Sequence, residues 1–244
     1  LAAAVLARRS AVAAALPLGG VKANIGHAEP AAGMTGLLKL ALGEVMPELK
    51  GVVPAWQQVP PEAKLSLATL RRSTMFPMLP VAVLSYGWAA KGHPDPTGAL
   101  LRRLKPVLEA MVHSCEHGVV GKGDEKPAAW GIVWDFMSFP QRGYTSGYNA
   151  DAEDRTPYQL ARFSKGLKGI NVWYGHQYTV TLVCDWPMPE GAENAASIDK
   201  RGWCIFERYL SSVRKQGHCC LALSKMPQDK KELSWWHVMQ ACKA

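Results

Sequence analysis

Between residues 46 and 80 the chain places prolines at 47, 54, 60, 61, 77 and 80. Each proline fixes its own φ, removes a backbone donor and pushes the preceding residue toward extended geometry. No long helix or central strand fits there. The spacing predicts a linker or extended arm, with Trp56 docked on the larger unit behind it. It divides the 244 residues into a leading unit, 1–45, a linker, 46–79, and a larger unit, 80–244.

From residue 80 the pattern alternates between strand and helix. Pro80-Val-Ala-Val-Leu-Ser-Tyr86 is a continuous apolar run, as a strand buried on both faces requires. Asp95-Pro-Thr-Gly opens a helix with apolar positions Leu100, Leu101, Leu104, Val107, Leu108 and Met111. Trp130–Asp135 reads as a second strand, 136–156 as a loop, and Tyr158 to about Val172 as a helix. Tyr178–Cys184 is a β-branched third strand, Gly202 to about Lys215 a helix, Cys219–Leu223 a fourth strand, and Lys230–Lys243 a closing helix. Strands separated by helices predict an α/β class fold, a doubly wound, mainly parallel sheet of flavodoxin-like type.

The leading unit contains Val21-Lys-Ala-Asn-Ile-Gly-His27 followed by Ala31-Ala-Gly-Met-Thr-Gly-Leu-Leu-Lys39. The glycine before His27 permits a tight turn that brings the imidazole to a crowded site. The small residues Ala31, Ala32, Gly33 and Gly36 allow close helix packing, and Leu37, Leu38, Leu40 and Ala41 give an apolar face. This stretch resembles the last catalytic motif of the β-ketoacyl synthases, the condensing enzymes of fatty-acid and polyketide assembly. The resemblance implies an incomplete thiolase-like segment. It implies that His27 hydrogen-bonds a thioester carbonyl and stabilises an enolate, that Lys22 balances charge, and that Asn24 is positional. It also implies a phosphopantetheine thioester and an acyl carrier protein as partner. A condensing enzyme needs a cysteine in a small-residue turn at a helix start, and none of the six cysteines has that context. The expectation is a segment without condensing activity of its own.

In open parallel sheets, sites gather at the carboxyl ends of strands. That rule selects Ser85, Tyr86, Gly87 and Trp88, then Asp135 and Phe136, then Asp185 and Trp186. Trp203 and Glu207, four apart, share one face of a predicted helix. Leu84-Ser-Tyr-Gly-Trp88, Asp135 to Gln141, and Arg201-Gly-Trp203-Cys-Ile-Phe-Glu207 occur in that order. Together they resemble Toll/interleukin-1 receptor domains and heterokaryon-incompatibility domains. In enzymes of these families a glutamate drives cleavage of the nicotinamide–ribose bond of NAD; other members are assembly modules. The resemblance implies NAD as substrate, Glu207 as catalytic carboxylate, and Trp88 or Trp203 stacked on a ring. Ser85, Tyr86 and Asp135 then hold ribose or phosphate-bearing parts. Each residue also has a plain structural reading: Trp203 in the core, Glu207 paired with Arg201 or Arg208, Asp135 capping a loop.

A net charge of +8 admits acidic partners, but the charges are scattered, with no cluster larger than a pair such as Arg102-Arg103 or Lys230-Lys231, which argues against nucleic acid. The cysteines at 115, 184, 204, 219, 220 and 242 show no Cys-x-x-Cys pair or metal-ligand spacing, so a reducing, cytoplasmic compartment and no metal are expected. The histidines at 93, 113, 117, 176, 218 and 237 lack triad or ligand spacing and read as structural or solvated. Trp235-Trp236 reads as a docking surface. No apolar run spans a membrane, and no membrane partner is expected. The first residue is Leu1 rather than methionine, consistent with a fragment or chimera. Three functional readings stay open: a ketosynthase fragment, NAD hydrolysis at Glu207, and a non-catalytic, self-associating module.

Overall fold

The computed structural model describes residues 51–59, 81–116, 130–227 and 233–244. The ketosynthase-like segment, with Lys22 and His27, and most of the proline-rich stretch lie outside the described residues.

Four short strands form one parallel sheet: β1 (Val81–Ser85), β2 (Gly131–Val133), β3 (Val180–Val183) and β4 (Cys220–Ala222). Their spatial order is β2-β1-β3-β4. Connections run through α1 (Ala99–Glu116) between β1 and β2, and through α2 (Asp135–Ser138) and α3 (Pro157–Gly175) between β2 and β3. α4 (Gly202–Arg214) joins β3 to β4, and α5 (Trp235–Ala241) follows β4. Parallel pairing demands such crossovers, and the crossovers cover both faces.

Strand alternation assigns each residue to a face. Ala82, Leu84, Ile132, Leu182 and Leu221 pack with Leu104, Leu108 and Met111 of α1 and Trp235 and Val238 of α5. Val81, Val83 and Val133 pack with Ile170, Trp173 and Tyr174 of α3. Val183 and Cys220 meet Cys204 of α4. The free edge of β4 is closed by the chain's own end: Ala222 N donates to Cys242 O, and Ala244 N to Cys220 O.

Local chemistry sets the helix starts. Both carboxylate oxygens of buried Asp95 accept backbone N–H groups, from Leu100 (3.0 Å) and Leu101 (2.9 Å), at the head of α1. Thr156 and Gln159 exchange reciprocal bonds ahead of Pro157 at the head of α3.

Two departures from expectation have clear causes. The second strand stops at Val133, because the chain turns into α2 at Asp135. The final tryptophan pair splits. Trp235 is buried edge-on against Trp130 with centroids 5.1 Å apart, while Trp236 is exposed. A helix turns adjacent residues about a hundred degrees apart, so both cannot face outward. Cys184, Cys204, Cys219, Cys220 and Cys242 are free and buried. Among the described residues no helix is long and apolar enough to cross a membrane.

The arm around Trp56 docks on this domain. Val53, Ala55 and Val59 are buried in the same cluster as Leu84 and Met111. At the head of α1 the arm comes so close that a Cβ on Gly98, whose φ is +69°, would stand 2.3 Å from Gly51 O. His93 ties the two together. Its Nδ1 accepts from Asp95 N (3.0 Å), which leaves Nε2 to carry the proton and donate to Val53 O (3.1 Å). Only the neutral ring makes both bonds, and burial lowers its pKa. A base whose folded pKa lies below its ordinary 6.5 binds protons more readily when unfolded. This contribution to stability is therefore complete above 6.5 and is lost as pH falls below 6.5 and through the lowered folded value. In urea unfolding, the midpoint advantage of the parent over His93→Gln will shrink as pH falls below 6.5. A pH-independent difference would contradict the latch.

Candidate functional site

β1 lies between β2 and β3, so the carboxyl ends of β1 and β2 open on one side of the sheet. Tyr86, just past β1, donates its hydroxyl hydrogen to Asp135 Oδ1 at the start of α2. The same oxygen accepts from Phe136 N at 2.6 Å. Tyr86 packs edge-on against Trp134 at 5.5 Å. Burial raises the Asp135 carboxyl, and the bonds from Tyr86, Phe136 and Trp88 offset part of that rise. Burial and the Asp135 charge together push the Tyr86 phenol well above its ordinary value. The shared proton therefore stays on the tyrosine.

Glu207 enters from α4 and is only 4% exposed. Desolvation pushes its carboxyl up to about 7; the Asp135 charge adds to the rise, and the Ser85, Tyr174 and Trp203 side chains draw it back. Ser85 Oγ is enclosed and meets no partner in full hydrogen-bond geometry, yet lies close enough to Glu207 to act on its charge. Tyr174 OH donates to Leu84 O at 2.5 Å. Cys204 Sγ donates to Tyr86 O at 3.2 Å, and burial and Glu207 raise this thiol to about 12. It stays protonated and is no nucleophile.

The arginines offered as partners for Glu207 are committed elsewhere. Arg208 pairs with Asp199. Arg201 donates to Ala196 O (2.9 Å), Trp88 O (2.9 Å) and Asn194 O (2.7 Å), clamping two loops. Gln141 works the same way, with Nε2 donating to the carbonyls of Asp135, Phe136 and Phe139. Asp185 leaves the site altogether. It accepts from Ser224 N and Oγ and caps the turn after β4.

A cavity of about 390 Å³ lies against this cluster. Phe139, Phe163, Leu167, Ile170 and Trp203 form its apolar wall; Trp88, Asp135 and Gln141 form the polar wall, with Lys91, Arg142 and Arg155 beside them. Lys91 pairs with Asp151 at 2.6 Å. Arg155 pairs with Glu153 and stacks over Phe163 at 4.3 Å.

The residues selected from sequence thus fall into two groups. Trp88, Asp135 and Trp203 line the cavity, and Trp203 is half exposed rather than in the core. Ser85, Tyr86 and Glu207 are buried and are not among the cavity-lining residues. Tyr174, Phe163 and the three cations were not singled out from sequence. Their segments carry no motif; the packing of α3 on the sheet brings in Tyr174 and Phe163, and the loops after β1 and α2 bring in the cations. Lys215 was also missed. Its buried Nζ donates to Thr179 O (2.7 Å), Thr179 Oγ1 (2.6 Å) and Trp173 O (3.3 Å), and burial lowers its pKa to about 7. It fastens the end of α3. Among the described residues no group of three or more His, Cys, Asp or Glu is placed to hold a metal ion.

Residues 1–46 match the family model described as the β-ketoacyl synthase C-terminal domain. Over 40 residues the chain is 60% identical to a highly reducing polyketide synthase of Cordyceps militaris; this covers 16% of the chain and 2% of that synthase. The chain thus spans a small fraction of the curated relative it matches. No solved structure matches it. The comparisons show that the first 46 residues are similar to part of such synthases, and the described residues form an α/β domain with a parallel sheet.

The buried carboxyl has a measurable signature. A raised acid binds its proton more tightly when folded. The parent is therefore favoured as pH falls from about 7 toward 4.5, and bears the cost of a buried charge above about 7. Glu207→Gln removes that cost. Above neutral pH it will be more stable than the parent by up to about 3 kcal/mol, and the gap will close as pH falls. A variant that is no more stable at any pH would contradict the buried, desolvated carboxyl.

Proposed function

We propose that residues 80–244 form a Toll/interleukin-1 receptor-like or heterokaryon-incompatibility-like domain that takes NAD in the cavity and cleaves its nicotinamide–ribose bond. The observation that carries this reading is convergence. Trp88, Asp135 and Trp203, from three separate segments, line one cavity, and the buried Glu207 carboxyl, outside that lining, is acted on by two of them, Trp203 and Asp135. The strand order β2-β1-β3-β4 agrees with flavodoxin-type winding.

The chemistry follows from the walls. Trp88 and Trp203 offer flat faces to a ring, and Arg142, beside the acid-paired Lys91 and Arg155, offers charge to phosphates. As the C1′–N1 bond breaks, its electron pair leaves on the pyridine nitrogen and positive charge develops on the ribose. A carboxylate held in a low-dielectric site stabilises that charge. Water then adds to C1′, giving ADP-ribose, nicotinamide and a proton. Asp135 faces the cavity. Glu207 acts from beneath Trp203, and Tyr86 fixes the direction of Asp135 through its hydroxyl.

The ketosynthase-like segment enters the proposal as a piece without condensing activity of its own, since none of the six cysteines has the context of the nucleophile. An acyl carrier thioester would be its substrate only alongside a cysteine-bearing half.

The full chain incubated with NAD will release nicotinamide, read by chromatography. Asp135→Asn and Glu207→Gln will each slow release by at least about tenfold. The parent rate will fall as pH drops below about 7, where Glu207 takes its proton. Unchanged NAD after long incubation, with no heat of NAD binding, would refute the reading.

A further inference from the structure

The two helices that cover one face of the sheet, α3 and α4, pack against each other and leave an outer surface with an unusual make-up. Its exposed side chains include Tyr158 and Val172 of α3 and Phe206, Tyr209 and Val213 of α4, with Tyr209 66% exposed. Single exposed apolar groups need no explanation, but a set spread over two neighbouring helices does.

The charges on the same helices are one-sided. α3 carries Arg162, Lys165 and Lys168 and no acidic residue; α4 carries Arg214 and Arg208, the latter paired with Asp199, and its one acid, Glu207, is buried. Such a face repels a copy of itself, so a symmetric self-contact opposes like charges. The chain's own beginning is a poor complement as well, since residues 1–50 hold five Lys or Arg against three Glu. The occupant is therefore external, anionic and tolerant of apolar contact.

We infer that the α3–α4 face is a peripheral docking surface for an anionic lipid bilayer. Aromatic residues with one polar end, set among long basic side chains, match the boundary between headgroups and acyl chains. Lys168 and Arg214 reach the phosphates, and Phe206 and Tyr209 enter the boundary. No single run of sequence announces this surface, because two helices far apart in the chain build it; a search for long apolar stretches passes over it. The inference stands independently of NAD cleavage.

The test uses the full chain and two vesicle preparations, phosphatidylcholine alone and phosphatidylcholine carrying a minority of phosphatidylserine. The protein will pellet with the second and not the first, and added salt will release it. Lys168→Gln with Arg214→Gln will weaken binding by roughly twentyfold, about fivefold per cation. Phe206→Ser with Tyr209→Ser will weaken it several-fold and keep the salt dependence. All four side chains point outward, so thermal melting will confirm intact variants; if one unfolds, the salt response of the parent still decides. Equal binding to both vesicles, or binding to neither, overturns the proposal. So does concentration-dependent self-association without vesicle binding, or retention on polyglutamate without vesicle binding.

Discussion

Burial of β1 on both faces is the constraint on which the rest of the domain depends. Val81–Ser85 is enclosed along its whole length, with β2 on one side, β3 on the other and helices above and below. Such a strand can be polar only where it stops. There Ser85 and Tyr86 meet carboxylates carried in by α2 and α4. Asp135 and Glu207 reach low-dielectric positions because the sheet has already excluded water. Their raised pKa values are consequences of the strand's burial.

The elements were legible in the sequence because burial on both faces writes a continuous apolar run, and burial on one writes a helical stripe. Val81–Ser85, Val180–Val183 and the Leu101, Leu104, Leu108 and Met111 stripe of α1 are of this kind. The rule that sites sit at strand ends selected Trp88 and Asp135, which line the cavity, and helical spacing selected Glu207, which is buried outside its lining. What the sequence hid is pairing over distance. Gln57 exchanges bonds with the backbone of Gln141, 84 residues away. His93 joins an arm to a helix start, and Lys215 ties off α3 through Thr179. Glutamine, histidine and lysine are common on surfaces, so nothing in their local context marks them as buried. The motif residues Gln141 and Arg201 carry the opposite lesson. Both look like site residues, and both spend their donors on backbone carbonyls.

The cavity and the outer helix face draw on one distribution of charge. α3 and α4 turn Ile170, Tyr174, Cys204 and Glu207 inward and leave cations outward. Trp203 stands where the two surfaces meet, half exposed and part of the cavity wall. The same helices thus supply the carboxyl that the site needs and the basic face that it does not.

The protonation of Glu207 is the most direct measure of the account. In carbon-13 spectra of glutamate-labelled full-length protein, one side-chain carboxyl should titrate near pH 7, and that signal should vanish in Glu207→Gln. If instead every glutamate carboxyl titrates within the ordinary range near 4.5, Glu207 is solvated and the enclosed cluster at the end of β1 does not exist.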